Sequence, residues 1–186
     1  TAGATTFVLI HLAKYQEKQE KLYDEVKDVV KGTITADDLQ KMPYLKACVK
    51  ESFRLVYPIP GGAVRMLDKD IVLSGYHIPK NTPLQICTGT TCRDEKYFQN
   101  PDQFLPERWL REDSERKVDP FVFVPFGHGP RNCVGQRFAE IEIHVLIAKL
   151  IKAYKVQLQE SSADIEVKYT TFARPSVPVN LVLKER

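Results

Sequence analysis

A ten-residue loop constrains this chain more than any other feature of its sequence. Residues 126–135 contain three glycines and one proline around Cys133, and an apolar-periodic segment typical of a helix follows. Glycines let a backbone turn tightly and approach a flat object closely. A cysteine near a helix N-terminus feels the positive end of the helix dipole, which favours the thiolate, and a thiolate is a soft ligand that suits iron. A buried free cysteine in a turn is the simpler alternative.

The spacing of this loop is more specific than its composition. The pattern is Phe126-x-x-Gly129-x-Arg131-x-Cys133-x-Gly135, and it resembles the haem-ligand loop of the cytochrome P-450 family, the haem-thiolate monooxygenases. The resemblance implies haem b as the cofactor, Cys133 as the axial ligand of its iron, and Arg131 as the partner of one haem propionate. Both residue types suit these roles, because a thiolate donates electron density to iron and an arginine fork matches a carboxylate.

Hydrophobic periodicity and turn signals predict a mainly helical chain with small β-sheets, an α+β fold. Helices are predicted over residues 1–13, 17–31, 35–41, 43–57 and from just after Cys133 to about 154. Gly32 is expected to cap the second helix, and Pro43 to open the fourth. The last helix is expected to have one apolar face, comprising Phe138, Ile141, Val145, Ile147 and Ala148.

Short strands are predicted between and after the helices. These strands cover residues 71–73, 76–79, 84–87, 155–158 and 179–183. The first two flank a Ser-Gly turn and are typical of a hairpin. Pro175 and Pro178 are expected in the loop before the last strand, and residues 93–125 are rich in turns with little periodicity.

A second pattern places a carboxylate and a guanidinium on one helix face, at Glu51 and Arg54. Taken alone, such a pair is an ordinary surface ion pair. Because Arg108 follows and the cysteine loop comes after it, the ordered set resembles the Glu-x-x-Arg helix and the meander arginine of the same family. The resemblance implies that the three residues form a buried network that holds the haem-ligand loop, a geometric role rather than a source of net stability.

Several residues match positions that surround haem and substrate in similar proteins. Arg65 matches an arginine that reaches the second haem propionate, with a solvated arginine at a strand end as the alternative. A strand beside it and a later turn match the walls of the substrate pocket. The pocket residues implied by this match are Ile59, Gly62, Ala63, Val64, Thr171 and Phe172. Small and apolar side chains there suit a lipophilic substrate.

The first six residues resemble the oxygen-groove motif of the family but lack its acid. The acid–alcohol pair of that motif is therefore expected upstream of Thr1, and Thr5 and Thr6 are expected to be ordinary helix residues. No catalytic side chain is assigned within the chain for this reason. Residues 1–186 are expected to be the C-terminal portion of a single cytochrome P-450 domain, incomplete at its N-terminus.

Lys46 and Lys50 lie one turn apart on the helix that carries Glu51, in a stretch that resembles the mitochondrial branch of the family. Matching lysines there help to bind an acidic ferredoxin, and a basic patch steers an acidic partner. A solvated helix face is the alternative, and Gln136-Arg137 departs from the two basic residues often found after the cysteine in that branch. The expected location is the mitochondrial inner membrane on its matrix side; the alternative is the endoplasmic reticulum membrane, with a flavoprotein reductase as donor. Membrane association is expected only of the full-length protein.

Composition excludes several other classes of protein. Apolar residues make up 43% and charged residues 27%, which is typical of a globular chain. A net charge of +3, without a stripe of basic and aromatic residues, argues against nucleic-acid binding. No stretch is long enough to span a bilayer. The four cysteines form no Cys-x-x-Cys pair and are expected to be reduced thiols.

The predicted function is a haem-dependent monooxygenase that inserts one oxygen atom from O2 into a lipophilic substrate, with steroid-like, fatty-acid-like and xenobiotic compounds all open. Three alternatives remain: a haem-thiolate isomerase or dehydratase that uses no external electrons, a truncated chain that is inactive on its own, and a structural zinc site, for which the cysteines lack paired spacing. His128 is not assigned to a metal, because it occupies a variable position of the loop.

Overall fold

The computed structural model describes residues 1–110, 119–159 and 165–186. Its α-helices are α1 (Ala2–Lys14), α2 (Gln16–Val29), α3 (Ala36–Gln40), α4 (Pro43–Leu55), α5 (Thr88–Thr91) and α6 (Gln136–Ala153). Single turns of 3-10 helix lie at Pro106–Trp109 and Gly129–Arg131. Residues 111–118, which belong to the stretch expected to be rich in turns, lie outside the described residues.

Short strands pair in antiparallel two-stranded sheets. The strands are β1 (Ala63–Met66), β2 (Ile71–Leu73), β3 (Tyr76–Ile78), β4 (Pro83–Ile86), β5 (Tyr154–Leu158), β6 (Val167–Tyr169), β7 (Ala173–Pro175) and β8 (Leu181–Glu185). The pairs are β1 with β4, β2 with β3, β5 with β8 and β6 with β7. The predicted α+β fold is confirmed, including the hairpin around Ser74 and Gly75.

The core lies between α1, α2, α4 and α6. Its fully buried members include Leu12 of α1, Leu22 of α2, Leu45 of α4 and Ile147 of α6. α1 is apolar almost throughout because other elements cover most of its surface, whereas α2 buries one stripe and exposes its Glu/Lys-rich remainder. Among the described residues no helix combines the length and apolar character needed to cross a membrane.

One buried amide fastens the N-terminal helices to a C-terminal strand. Gln19 of α2 is fully buried, and its Nε2 donates to the carbonyl oxygens of Leu12 at 2.9 Å and Val156 at 2.8 Å. The Val156 amide donates back to Gln19 Oε1 at 2.8 Å. Because every polar atom of this side chain is bonded, its burial is tolerated and fixes β5 against the helices.

The hydrogen bonds at the helix ends confirm one predicted helix start and show that one predicted helix end is wrong. Thr35 and Asp38 form a capping box at the start of α3, which confirms the predicted helix start there. Gly32 was expected to cap α2, and this is wrong: α2 ends at Val29, and Val30 turns extended while its amide still donates to Val26 O. Since Val30 is buried in the core, packing ends the helix before the glycine is reached.

The structure corrects the predicted apolar face of α6. Phe138 is 75% exposed and Ile141 53% exposed, and the buried positions are Ile143, Ile147, Ala148 and Ile151. The two exposed side chains line surface hollows beside the cysteine loop, residues 126–135, rather than the core. Apolar periodicity shows which residues share an apolar helix face, but not what that face contacts. It therefore does not distinguish a face in the core from a face that lines a cavity.

The C-terminal strands also differ from expectation. Pro175 lies in β7 rather than in a loop, and the last strand is Leu181–Glu185 rather than residues 179–183. A proline is tolerated in β7 because a two-stranded sheet consists only of edge strands. The β6–β7 hairpin and the short helix α5 were not predicted, since neither has enough length for a periodic signal.

A partly buried histidine, His11, makes the folding stability depend on pH. A hydrogen bond of 2.9 Å joins His11 Nδ1 and Ser52 Oγ, and the ring stacks on Phe104 with centroids 5.1 Å apart. Burial, and secondarily the charges of Arg93, Lys14 and Arg54, lowers the pKa of His11 to about 3. The unfolded chain therefore binds a proton between about pH 3 and 6.5 that the folded chain does not, and stability falls as the pH drops through this range.

We predict that His11→Gln removes part of this pH dependence. Between pH 7 and pH 5 the protonation of unfolded His11 costs the wild type about 2 kcal/mol. The drop in the free energy of unfolding over this range, measured with urea, should be smaller by that amount in the variant. His77→Gln, which changes an exposed histidine near Asp70, is the control and should leave the drop unchanged. An equal drop in His11→Gln and wild type would contradict the prediction.

Candidate functional site

The loop before α6 has a defined hydrogen-bonded geometry. The amide of Gly127 donates to Val124 O at 2.9 Å, and the amide of Cys133 donates back to Phe126 O at 2.8 Å. Gly127 and Gly129 have φ angles of 77° and 79°, in the left-handed region that favours glycine. The loop thus folds back on itself and presents Cys133 three residues before the first residue of α6.

The Cys133 side chain opens onto a large hollow next to the loop. Cys133 is exposed and lines a cavity of about 1110 Å³, here called the Cys133 cavity. Its walls come from α1, the end of α4, the β1–β4 sheet, the loop, α6 and the β6–β7 hairpin, and they are mainly apolar. The other cysteines, Cys48, Cys87 and Cys92, are free thiols that do not line this cavity.

The charges on the cavity wall are all cationic. Among the described residues, the lining includes Arg65, Arg131 and Arg174 but no carboxylate. Arg65 is half-buried and donates from Nη1 to Val64 O at 3.1 Å. A thiol on one wall, apolar surroundings and unneutralised guanidinium groups suit haem, a flat apolar ring with an iron that accepts sulfur and two anionic propionates. The residues present therefore fit this cofactor.

A buried carboxylate links the segments behind the loop. Glu51 is 0% exposed and accepts five hydrogen bonds. Arg54 donates two of them, from Nε at 3.0 Å and from Nη2 at 2.9 Å, and Arg108 Nε donates another at 3.0 Å. The structure therefore brings together the three residues that the sequence pattern grouped. Both charges of the Glu51–Arg54 pair are compensated, as buried charges must be.

The two arginines extend the network into the chain between α5 and the 3-10 turn at Pro106–Trp109. Arg54 Nη1 donates to the carbonyl oxygens of Cys92 and Pro101, both at 2.7 Å. Arg108 Nη1 donates to Gln99 O at 2.9 Å. The segment has no regular secondary structure to supply donors for its backbone carbonyls. The two arginines supply them instead, and these bonds hold the segment in place.

Trp109 belongs to the same network, and the sequence pattern did not assign it a role. Its Nε1 donates to Glu51 Oε2 at 2.8 Å. Its ring lies 4.8 Å from the ring of Phe123, three residues before Phe126 in the loop. Phe126 in turn packs on Phe53 of α4, with centroids 5.9 Å apart. The only available signal was the position of Trp109 directly after Arg108, which places its indole on the same short turn.

The predicted pocket residues divide into two groups. Ile59, Gly62, Ala63 and Phe172 line the Cys133 cavity. Val64 and Thr171 lie outside its lining, and Val64 is 56% exposed. The role of all six residues in binding substrate stays a prediction.

Backbone geometry accounts for the placement of Val64 and Thr171. Side chains alternate along β1, so Ala63 and Arg65 face the cavity and Val64 faces away. Thr171 lies at a tight turn closed by a bond of 3.3 Å from the Thr170 amide to Phe172 O, and the chain reverses there before Phe172 reaches the wall. Gly62, with φ 62°, cannot carry a side chain, because a Cβ would lie 1.7 Å from Ile86 O.

Two polar side chains in the cavity were also missed. Thr88 Oγ1 donates to the Tyr57 hydroxyl at 2.6 Å, and both residues line the cavity. Burial raises the pKa of Tyr57 to about 12, so its hydroxyl stays protonated at neutral pH. The two residues are 31 positions apart in the chain, so no local pattern could have paired them.

A second hollow lies on the side of the loop that faces α4 and α6. This α4–α6 groove has a volume of about 700 Å³ and is lined by Lys46, Lys50, Arg137 and His144 together with apolar side chains of the loop. Burial, and then the charges of Lys46 and Lys50, lowers the pKa of His144 to about 4. The groove carries cationic side chains on both helices, with Glu140 as the carboxylate in its lining.

The exposed thiol, the apolar cavity and the arginines on its wall are the groups expected of a haem-binding protein. A model of the cytochrome P-450 family, "Cytochrome P450", matches residues 1–183. The chain belongs to this family.

Relatives agree over nearly the whole chain. "Probable cytochrome P450 49a1" of Drosophila melanogaster is 40% identical over 197 residues, covering 100% of this chain and 33% of that protein. "Cytochrome P450 302a1, mitochondrial" of the same organism is 36% identical over 190 residues, covering 100% and 38%. "Cytochrome P450 27C1" of Danio rerio is 34% identical over 176 residues, covering 94% and 32%. The chain spans about a third of the length of these relatives.

We predict a graded loss of haem across the Glu51 network. Glu51→Ala leaves the Arg54 charge buried and unpaired, which should cost about 3 to 5 kcal/mol of stability and abolish haem incorporation in the full-length protein. Arg54→Ala should do the same. Trp109→Phe keeps a ring but loses one donor, so it should cost about 1 to 2 kcal/mol and lower haem content only in part.

Denaturant unfolding and the haem-to-protein ratio measure both effects. Glu20→Ala, which removes a half-exposed partner of Arg186 and Lys155, is the control and should cost less than about 1 kcal/mol with normal haem content. A normal haem-to-protein ratio in Glu51→Ala or Arg54→Ala would refute the role of the network.

Proposed function

We propose that residues 1–186 form the C-terminal portion of a single cytochrome P-450 domain, and that the protein is a haem-dependent monooxygenase acting on a lipophilic substrate. The observation that carries this proposal is Cys133, exposed on a glycine-shaped loop at the wall of a large apolar cavity. The match to relatives over nearly the whole chain supports it.

Each residue has a definite part in this proposal. Cys133 would hold the haem iron through sulfur, and Arg131 and Arg65 would neutralise the two propionates from the cavity wall. Haem, once bound, supplies the activation of O2 and the oxidation chemistry. The chain around it would bind and orient the haem: Phe126 and Gly129 shape the loop, and the apolar wall excludes water. Gly135 lies beside the ligand, since a Cβ added there would lie 4.0 Å from the Cys133 sulfur.

Substrate selection falls to the remaining cavity residues. Ile59, Ala63 and Phe172 present apolar surface to the cavity. Tyr57 and Thr88 form a hydrogen-bonded polar pair in the same wall. A mainly apolar hollow with a few placed polar groups is typical of sites for lipophilic molecules.

Replacing the ligand sulfur tests the proposed function. Cys133→Ser in the full-length protein substitutes a hard oxygen for a soft thiolate, so the thiolate-type spectrum of the reduced carbon-monoxide complex and the oxygenation of lipophilic substrates should both be lost. Cys87→Ser changes another exposed cysteine and should preserve both. If the pigment and its oxygen chemistry survive unchanged in Cys133→Ser, the proposal fails.

We further propose that electrons come from an acidic ferredoxin that docks on the α4–α6 groove. Lys46, Lys50 and Arg137 supply positive charge there, and Phe126 in the groove wall belongs to the loop that carries Cys133. Several relatives are named as mitochondrial, which supports a mitochondrial location, at the inner membrane on its matrix side. A flavoprotein reductase at the endoplasmic reticulum is the alternative donor.

Charge reversal distinguishes the two donors. Lys46→Glu with Lys50→Glu should slow ferredoxin-driven reduction by about tenfold or more at low salt, since steering depends on complementary charge. The effect should shrink as ionic strength rises. Reduction by dithionite should be unchanged. Lys149→Glu, at an exposed position of α6 outside the groove lining, is the control. An unaltered ferredoxin-driven rate in the double variant would argue against this docking site.

A further inference from the structure

The Cys133 cavity contains one guanidinium group more than a haem needs. Arg65, Arg131 and Arg174 line it, and no carboxylate does so among the described residues. Under the proposed function, Arg65 and Arg131 neutralise the two propionates. Arg174 is then a cation on the wall of a mainly apolar hollow with no counter-charge assigned to it.

Arg174 also differs from the arginines that hold the fold together. Within the described residues, Arg54, Arg93, Arg108 and Arg186 are all bonded to carboxylates. Arg174 makes no ion pair or side-chain hydrogen bond with any described residue. An unbonded guanidinium at a cavity has N–H donors available in a planar arrangement that matches the two oxygens of a carboxylate.

The strand opposite adds a second positive charge. In the β6–β7 hairpin Arg174 lies directly across from Lys168, and both side chains are exposed. Like charges at directly opposed positions destabilise an antiparallel pair. Lys168 likewise has no ion pair within the described part of the chain. The hairpin therefore places two cations side by side where an anion would relieve their repulsion.

The backbone beside Arg174 is fixed on both sides. The Ala173 amide donates to Pro58 O at 3.0 Å, and the Ser176 amide donates to Glu166 O at 2.8 Å. Ala173 is buried against Phe7 and Ile10 of α1. Phe172, the preceding residue, lines the same cavity. The guanidinium is thus attached to an anchored strand next to an apolar surface, which suits a ligand with an anionic head and an apolar body.

We infer that Arg174 binds the carboxylate of a lipophilic acid whose apolar body occupies the Cys133 cavity. This inference rests on the proposed function and specifies its substrate class. The carboxylate lies at the β6–β7 hairpin, and the chain of the acid extends along Phe172 and Ile59 toward the loop. Lys168 increases the positive potential at the head group without being the direct ligand.

A comparison of dodecanoic acid with its methyl ester tests the inference in the full-length haem protein. Binding is measured by the ligand-induced shift of the haem absorption band and, independently of haem, by equilibrium dialysis with labelled ligand. Wild type should bind the acid about tenfold more tightly than the ester, since a charge-assisted hydrogen bond is lost with the ester. Arg174→Gln should abolish this preference, and Arg174→Lys should keep part of it.

Lys184→Gln provides a matched control. Lys184 lies in β8 across from Lys155, so it is also a cation opposed to a cation, but it lies outside the cavity lining. This variant should keep the full preference for the acid. The haem content and circular dichroism of each variant show whether its fold is retained.

Different failures point to different errors. Equal affinity for acid and ester in wild type, or an acid preference that persists in Arg174→Gln, overturns the inference while the proposed function stands. A folded full-length wild type without thiolate-ligated haem overturns the proposed function, and dialysis then still decides whether Arg174 selects the acid.

Discussion

The arrangement of this site depends on one buried carboxylate. Glu51 has no contact with water, so its charge is tolerable only while every donor around it stays in place. Those donors come from α4, from the backbone at Leu105 and from the turn that carries Arg108 and Trp109. A single ionised group therefore links three segments through hydrogen bonds, in addition to their apolar contacts at Phe104 and Trp109. The aromatic rings beside it continue this constraint to the cysteine loop.

Much of this organisation could be predicted from local sequence, because it is encoded locally. The start of α3 follows from Thr35 and Asp38, and the start of α4 follows from Pro43. The cysteine loop and the Glu51 network were singled out by the spacing of a few residues whose chemistry admits few alternatives. Such a pattern can be recognised in a sequence because its residues lie on one turn or one helix, where local geometry sets their spacing.

The parts that could not be predicted depend on contacts distant in the chain. Nothing near Val64 shows that it faces away from the cavity, since this depends on the register of β1 against β4. The exposure of Phe138 reflects a hollow formed by other elements, and the end of α2 at Val29 reflects the burial of Val30. The cavity itself joins residues from α1 to β7. Its shape is a property of the tertiary structure, and periodicity carries no information about it.

The position of the indole has a practical consequence. The chain contains a single tryptophan, and that tryptophan is Trp109. Its fluorescence therefore comes from one place, the junction between the buried carboxylate and the segment leading to the cysteine. Emission from this chain would follow the assembly of that junction during refolding without any added label, and a nearby porphyrin would quench it, so one optical signal would report both the closing of the scaffold and the arrival of the pigment.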